Sequence, residues 1–575
     1  MRFFSFLLLF STFLTLPTLA ETTSLCGIRI EGDEKIEFSS TERDWLCGSA
    51  KSPAWQNMPN SQRTLFLKGF LQSRGYHQST FTSTADSLNV ELGPRSTLQT
   101  LEVHNAPAEW NWRKRRYIKD RPFTPATLDE ITNWARRRLQ EHGYPCPQID
   151  AQALVLEEKF NLTVEPGPAY RFGAITTVGE EDLNPAILDR YSAFFPGAPF
   201  DIRLLEITSN RVLQEDLYLS TYYDITCTAQ GEVEIVRRMI PAKPRLLTFG
   251  LGFDSEGGAL FRSMLKQARL NETADNLEAS LFASLLEQTL TGKHRHYFSS
   301  DLTSRLHLLT TAMIKRESES SYEAMTYQLG TSLALGWEAL PYSGVAQVGP
   351  LIERTDVMRG PEPYQIDALR IAGEINLTSH LYEYFLTNPQ DGWSVTLNAS
   401  SQVQGALSDD NIHRLTLRHQ IIWNLNEWDP PFLVLGWRGW VGTFILPDGE
   451  NDSPDIPVTQ RFFLGGDADL RGFARKQLPA SDNGFLTVLY QGLELRANDI
   501  LPYNLQPLIF LDAAKAGILA TELDSALYYS PGVGLRWGSP IGTIRGTVGR
   551  GFVVDRDPSS INPGYQFFVS FGKEF

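Results

Sequence analysis

Tyr565-Gln-Phe-Phe-Val-Ser-Phe-Gly-Lys-Glu-Phe575, the last eleven residues, sets Tyr565, Phe567, Val569, Phe571 and Phe575 on alternate positions, with only Lys573 breaking the apolar face. Side chains of a strand alternate between its two faces, so this run is a β-strand with one apolar side. As the edge of a soluble sheet it would expose that side and invite aggregation. Facing lipid, it carries no such liability. The question becomes whether the preceding sequence repeats the pattern.

After Lys243 helical periodicity vanishes and alternation takes over. Leu247, Phe249, Leu251 and Phe253 alternate with Thr248, Gly250 and Gly252. Leu329, Thr331, Leu333, Leu335 and Trp337 alternate with small or polar residues, as do Trp393, Val395, Leu397 and Ala399. A soluble β-sandwich alternates too. However, Trp337, Trp393, Trp423, Trp428, Trp437 and Trp440 fall within or at the ends of such runs, as expected for aromatic girdles at two lipid interfaces. A tilted strand of about 9–11 residues spans a bilayer. The pattern predicts a transmembrane antiparallel β-barrel over residues 245–575, of about 16 strands.

At the other end, Arg2, the apolar run Phe3–Leu16 and the small residues Thr18 and Ala20 read as an export signal over residues 1–20. No later segment offers ~18 consecutive apolar residues, so no transmembrane helix is expected in the remainder. The net charge of −15 argues against nucleic-acid binding, because phosphate contacts need a basic face.

Between Leu25 and Lys243 one pattern recurs three times. A helix Ser61–Ser73 closes at Gly75-Tyr76 and leads to the extended run Ser87–Leu92. A helix Pro125–Glu141 closes at Gly143-Tyr144 and leads to Lys159–Val164. A helix near Ile202–Leu217 leads to Tyr222-Tyr223 and Glu232–Val236. Glycine in left-handed geometry ends a helix without a Cβ clash, and the aromatic pins the next strand. Thr124 is placed to cap the second helix, with Pro125 at its first position. Three small α+β modules are expected, over residues 24–97, 98–167 and 168–243.

In an exported chain Cys26 and Cys47 are near enough in sequence to staple the first module, or else are two buried thiols; Cys146 and Cys227 have no evident pairing. Gly250-Leu-Gly252 lacks the third glycine and the helix of a dinucleotide site, and His294-Arg-His296 lacks a metal-binding helical spacing. Neither G-x-S-x-G nor H-E-x-x-H occurs, so no catalysis, cofactor or metal is expected. Arg113-Lys-Arg-Arg116 and Arg136-Arg-Arg138 read as contacts to lipid phosphates or an acidic partner, or as solvated faces of the second module.

One segment stands apart. Gln460-Arg-Phe-Phe-Leu-Gly-Gly-Asp-Ala-Asp-Leu-Arg-Gly-Phe473 follows a polar stretch, Pro447–Pro457, that reads as an extracellular loop. Its part Arg461–Phe473 resembles the hallmark of the outer-membrane assembly-factor superfamily that includes BamA, TamA and the two-partner secretion transporters. There a V/I-R-G-F/Y tetrad tips a loop folded back into the barrel lumen. Here the tetrad is Leu470, Arg471, Gly472 and Phe473, with leucine for the usual valine or isoleucine. Gly492-Leu-Glu494 and Phe510-Leu-Asp512 resemble the superfamily's lumen-facing strand motifs. An arginine in a barrel wall is costly unless paired, and its planar fork suits carboxylates, so Arg471 is expected to pair with Glu494, Asp512 or both.

Gly250–Gly258 and Ser530–Gly542 are similar to the superfamily's first strand and penultimate region, and the three modules look like POTRA domains in a TamA-like layout. The resemblance implies an outer-membrane barrel with periplasmic modules that helps insert or secrete autotransporters and other β-barrel proteins. It also implies unfolded barrel clients, outer-membrane lipids and a TamB-like inner-membrane-anchored protein as partners. The first strand, Leu246–Phe253, would close against Tyr565–Phe575, making Phe249, Gly250, Gly252, Phe571 and Phe575 a lateral seam. Two glycines weaken strand pairing, and backbone groups unpaired in lipid must find partners, so the seam would accept an incoming strand. Two alternatives stay open: a two-partner-type secretion pore and a porin-like channel with unusual periplasmic modules.

Overall fold

The computed structural model describes residues 21–48, 59–84, 87–179, 183–298, 300–402, 404–405, 407, 411–447, 456–481, 483–539, 542–555, 561 and 564–571. The expected export signal, Lys573 and Phe575 lie outside these residues. The chain divides into two compact units, Met1–Leu139 with Pro147–Gly167 and Gln140–Cys146 with Pro168–Phe575.

The first unit holds two α+β sheets. One has the strand order Glu21–Leu25, Ile28–Gly32, Leu88–Glu91, Thr80–Ser83, so it starts ahead of the expected residue 24. Alternation buries Ile28, Ile30, Leu88 and Val90 against Leu46, Leu67 and Leu71 of the helices Ser40–Cys47 and Asn60–Gln72. Ser39 and Glu42 form a reciprocal capping box at the first helix. A disulfide joins Cys26 to Cys47, 21 residues apart, and a loop of that size restricts the unfolded chain by about 3 kcal/mol. The other sheet orders Thr100–His104, Lys159–Glu165 and Gln148–Leu154. The helix Pro125–Glu141 buries Thr127, Ile131, Ala135 and Leu139, one residue per turn. Thr124 Oγ1 accepts the Thr127 amide at 3.2 Å, as its capping position requires. In the basic cluster Arg115 pairs with Glu130, which Arg121 also holds, and Arg113 lies over the Trp112 ring.

The second unit opens with a third sheet, Arg171–Val178, Glu232–Pro241 and Tyr218–Cys227, carrying the helix Ile202–Gln214. That helix stops three residues short of the expected Leu217, because Asp216 takes the positive φ that glycine supplies at Gly75 and Gly143. A second disulfide, Cys146 to Cys227, spans 81 residues that spacing alone did not connect.

Strands from Arg245–Asp254 to Tyr565–Phe571 then close into an antiparallel barrel. Gly542–Arg550 and Phe552–Val554 pair with the same neighbour and are one strand interrupted at Gly551, which gives 16 strands. Leu247, Phe249, Leu251, Leu329, Leu333, Leu415 and Leu417 are exposed on the outer face, which only lipid can cover. Trp337, Trp393, Trp423 and Trp437 share that outward register. Trp440 does not: it lies on the lumen face and packs on Phe462. Trp428 sits in the turn after Ile412–Leu425 rather than on a strand.

The third sheet and its helix are tied to this barrel by ion pairs within the same unit. Arg211 lies 2.7 Å from Glu338 and 2.6 Å from Glu383, and Arg295 is 2.8 Å from Glu215. Arg190 donates to the Thr273 and Leu302 carbonyls, both at 2.7 Å.

Candidate functional site

The long connection between strands Leu433–Ile445 and Thr487–Ala497 turns back into the lumen. Isolated bridges, Phe462 to Phe485 and Leu464 to Leu478, fold it on itself. Leu464, Leu470, Phe473 and Leu478 then form one buried cluster with Phe444, Val488, Ala514 and Tyr528 of the barrel wall. The lumen is therefore packed like a protein core here, and the leucine at 470 is a buried member of that apolar cluster.

Arg471 is fully buried at the tip. Its Nε and Nη2 donate to the two oxygens of Asp512 at 2.8 and 2.9 Å, and Nη1 donates to Glu494 at 2.6 Å. The guanidinium also lies 3.5 Å from the Phe510 ring centre. Strand periodicity explains the placing, since residues 490, 492 and 494 face inward and Gly492 stands opposite Asp512. A Cβ at Gly492 would lie 2.8 Å from Asp512 Oδ1, so glycine there leaves room for the carboxylate. The tip backbone also needs glycines: a Cβ on Gly472 would fall 2.3 Å from the Gly551 nitrogen, and one on Gly549 2.5 Å from the Arg471 carbonyl oxygen.

Several partners were not read from the sequence. The Tyr490 hydroxyl donates to Asp512 at 3.1 Å and receives the Arg438 Nε–H at 3.1 Å. Tyr490 carries the same inward parity as Glu494, which was the available signal. Arg475 reaches Glu319 at 2.8 Å. Asp467 pairs with Arg545 of the strand Gly542–Arg550, while its amide donates to Glu256 at 3.3 Å, in the turn after the first strand.

That last arrangement straddles the seam. Arg545 is in register with Ser570 of the terminal strand, and Glu256 follows the first strand directly. Between those strands the described pairing consists of Phe253 with Phe571 and Asp254 with Ser570, extended by the Ser255 amide on the Val569 carbonyl at 2.9 Å. On its other edge the terminal strand pairs continuously from Ile544–Phe571 to Arg550–Tyr565. Phe249, Gly250 and Gly252 pair with Ser263, Arg262 and Leu260 of the next strand, and the positions that the seam's register would set against them, 572–575, lie outside the described residues.

Burial pushes the Glu256 carboxyl up to about 7, with Arg475 and the Asp467 amide opposing and the Asp467 and Asp254 charges adding. A released carboxyl ionises near 4.5, so the contact is strongest at low pH, weakens as pH rises from there, and is weakest above 7. Spin labels on the first turn and the loop should report a wider distance distribution at pH 8 than at pH 5. Glu256→Gln should remove the difference, whereas identical wild-type distributions at both pH values would contradict this assignment.

Residues 370–575 match the Omp85 superfamily domain. Among solved structures, BamA from Haemophilus ducreyi lacking POTRA domains 1–3 is similar at 15% identity, covering 83% of this chain and 99% of that one, with a TM-score of 0.49. CdiB from Acinetobacter baumannii is similar at 14% identity, with coverages of 83% and 89% and a TM-score of 0.44. CdiB from Escherichia coli is similar at 13%, with coverages of 94% and 99% and a TM-score of 0.46. The matched residues hold the lumen loop, both carboxylates that grip it and the terminal strand of the seam, so what is similar to the Omp85 superfamily domain is the closing part of the barrel.

Proposed function

We propose that this protein is a TamA-like assembly and translocation factor, which inserts or secretes β-barrel and autotransporter clients through the seam between its first and last strands. The observation that carries the reading is that the barrel closes by pairing its first strand with its last, Phe253 with Phe571 and Asp254 with Ser570, at a place where the lumen loop contacts both flanks. Strand edges in lipid demand hydrogen-bond partners, so a seam that unzips presents a template to an incoming strand. The loop at Asp467 touches both flanks and would set how readily it opens. Three α+β modules of the POTRA type, on the periplasmic side, would receive clients and a TamB-like partner. A steady porin-like channel fits less well, because the loop's apolar cluster packs into the lumen.

Depleting the protein and comparing the outer-membrane proteome, with surface exposure of autotransporters, tests this. Loss of a subset of barrel clients is expected. An unchanged client set and unchanged envelope lipid distribution would refute it.

A further inference from the structure

A cleft of about 620 Å³ opens where the third sheet's helix meets the periplasmic rim of the barrel, all within one compact unit. That volume is within the roughly 300–1,000 Å³ of small-molecule sites. One wall is Phe200 and Leu204; the other is Leu340 with Trp393, Ile421 and Trp423. The last three face outward: Trp393 stands opposite Ile421, on the register that puts Leu415 and Leu417 on the lipid-facing surface. The cleft is thus continuous with the lipid belt at its aromatic girdle. Its polar end holds Asp201, Arg203 and Asp391. Arg203 grips Asp201 through both carboxylate oxygens, the shortest contact being 2.7 Å. Asp391 accepts only the neighbouring Gly392 amide at 2.8 Å among the described hydrogen bonds. Burial, helped by the Glu427 charge, holds its carboxyl above the ordinary range despite the Gly392 amide and the Arg203 charge, and a cation seated on it would lower it.

The geometry points to a lipid site: one acyl chain of a diacyl phospholipid from the adjoining leaflet lies along the apolar walls, with a primary-ammonium headgroup on Asp391. An anionic headgroup would meet an acidic rim and is excluded on charge. The full-length protein in detergent, mixed with limiting and equal amounts of phosphatidylethanolamine and phosphatidylglycerol, tests this by native mass spectrometry. Phosphatidylethanolamine should be retained about tenfold over phosphatidylglycerol, the effect of one hydrogen bond to a charged group. Asp391→Asn should erase that preference while leaving the fold intact. A photo-crosslinking side chain at Ile421 should capture the lipid several-fold more than one at Leu329, which faces the belt away from the cleft. Equal retention of both lipids, equal capture at both positions, or capture of a polypeptide at Ile421 would each overturn the proposal.

Discussion

Replacing Arg471 with alanine is expected to free the lumen loop and abolish client assembly. Asp512 is fully buried and Glu494 nearly so, and removing their shared cation costs about 3–5 kcal/mol, of which Arg438, 3.9 Å from Asp512, offsets a part. The loop's apolar cluster resists that release but cannot neutralise the charges. Arg471→Lys keeps one charge without the planar fork and should retain part of the function. Limited trypsin digestion checks both variants, since Arg461, Arg475 and Lys476 are cleavage points on the loop. Alanine should expose them, lysine should expose them less, and unchanged protection with full activity in the alanine variant would remove the ion pair from the account.

Gly472→Val is expected to displace the loop as completely while leaving every charge in place. The new Cβ would sit 2.3 Å from the Gly551 nitrogen and 2.4 Å from the Arg550 carbonyl carbon, and backbone atoms of a paired barrel strand have nowhere to move. Ala468→Val, on an exposed position of the same loop, should be neutral. If Gly472→Val kept the loop protected, the close approach of the tip to the strand break at Gly551 would not matter for docking.

Much of this was legible in the sequence for one reason: lipid on one face forces alternation. Leu247 to Phe253 and Leu329 to Trp337 announced strands, and an arginine beside two inward-facing carboxylate motifs announced its partners, because its planar fork suits carboxylates. Trp440 escaped for the complementary reason. Where the loop packs the lumen, Phe444, Val488 and Tyr528 face inward, so apolar character no longer marks the lipid side. The third helix overran because Asp216 does the work that glycine does in the other two modules. Cys146 and Cys227 found each other across 81 residues, a pairing that topology decides and spacing does not. The strand Tyr565–Phe571 first marked a barrel; its edge toward Phe253 is the proposed gate.

A disulfide across that edge is the most direct test. Phe253 and Phe571 are opposed Cα partners, and such antiparallel partners lie about 4.5–5.5 Å apart, within reach of a disulfide. The native cysteines are all engaged in their own bridges. The Phe253→Cys, Phe571→Cys protein is reconstituted in liposomes and insertion of an unfolded barrel client is followed before and after reduction. The account predicts insertion blocked when the seam is oxidised and restored when it is reduced. Equal insertion in both states would contradict a seam that must open.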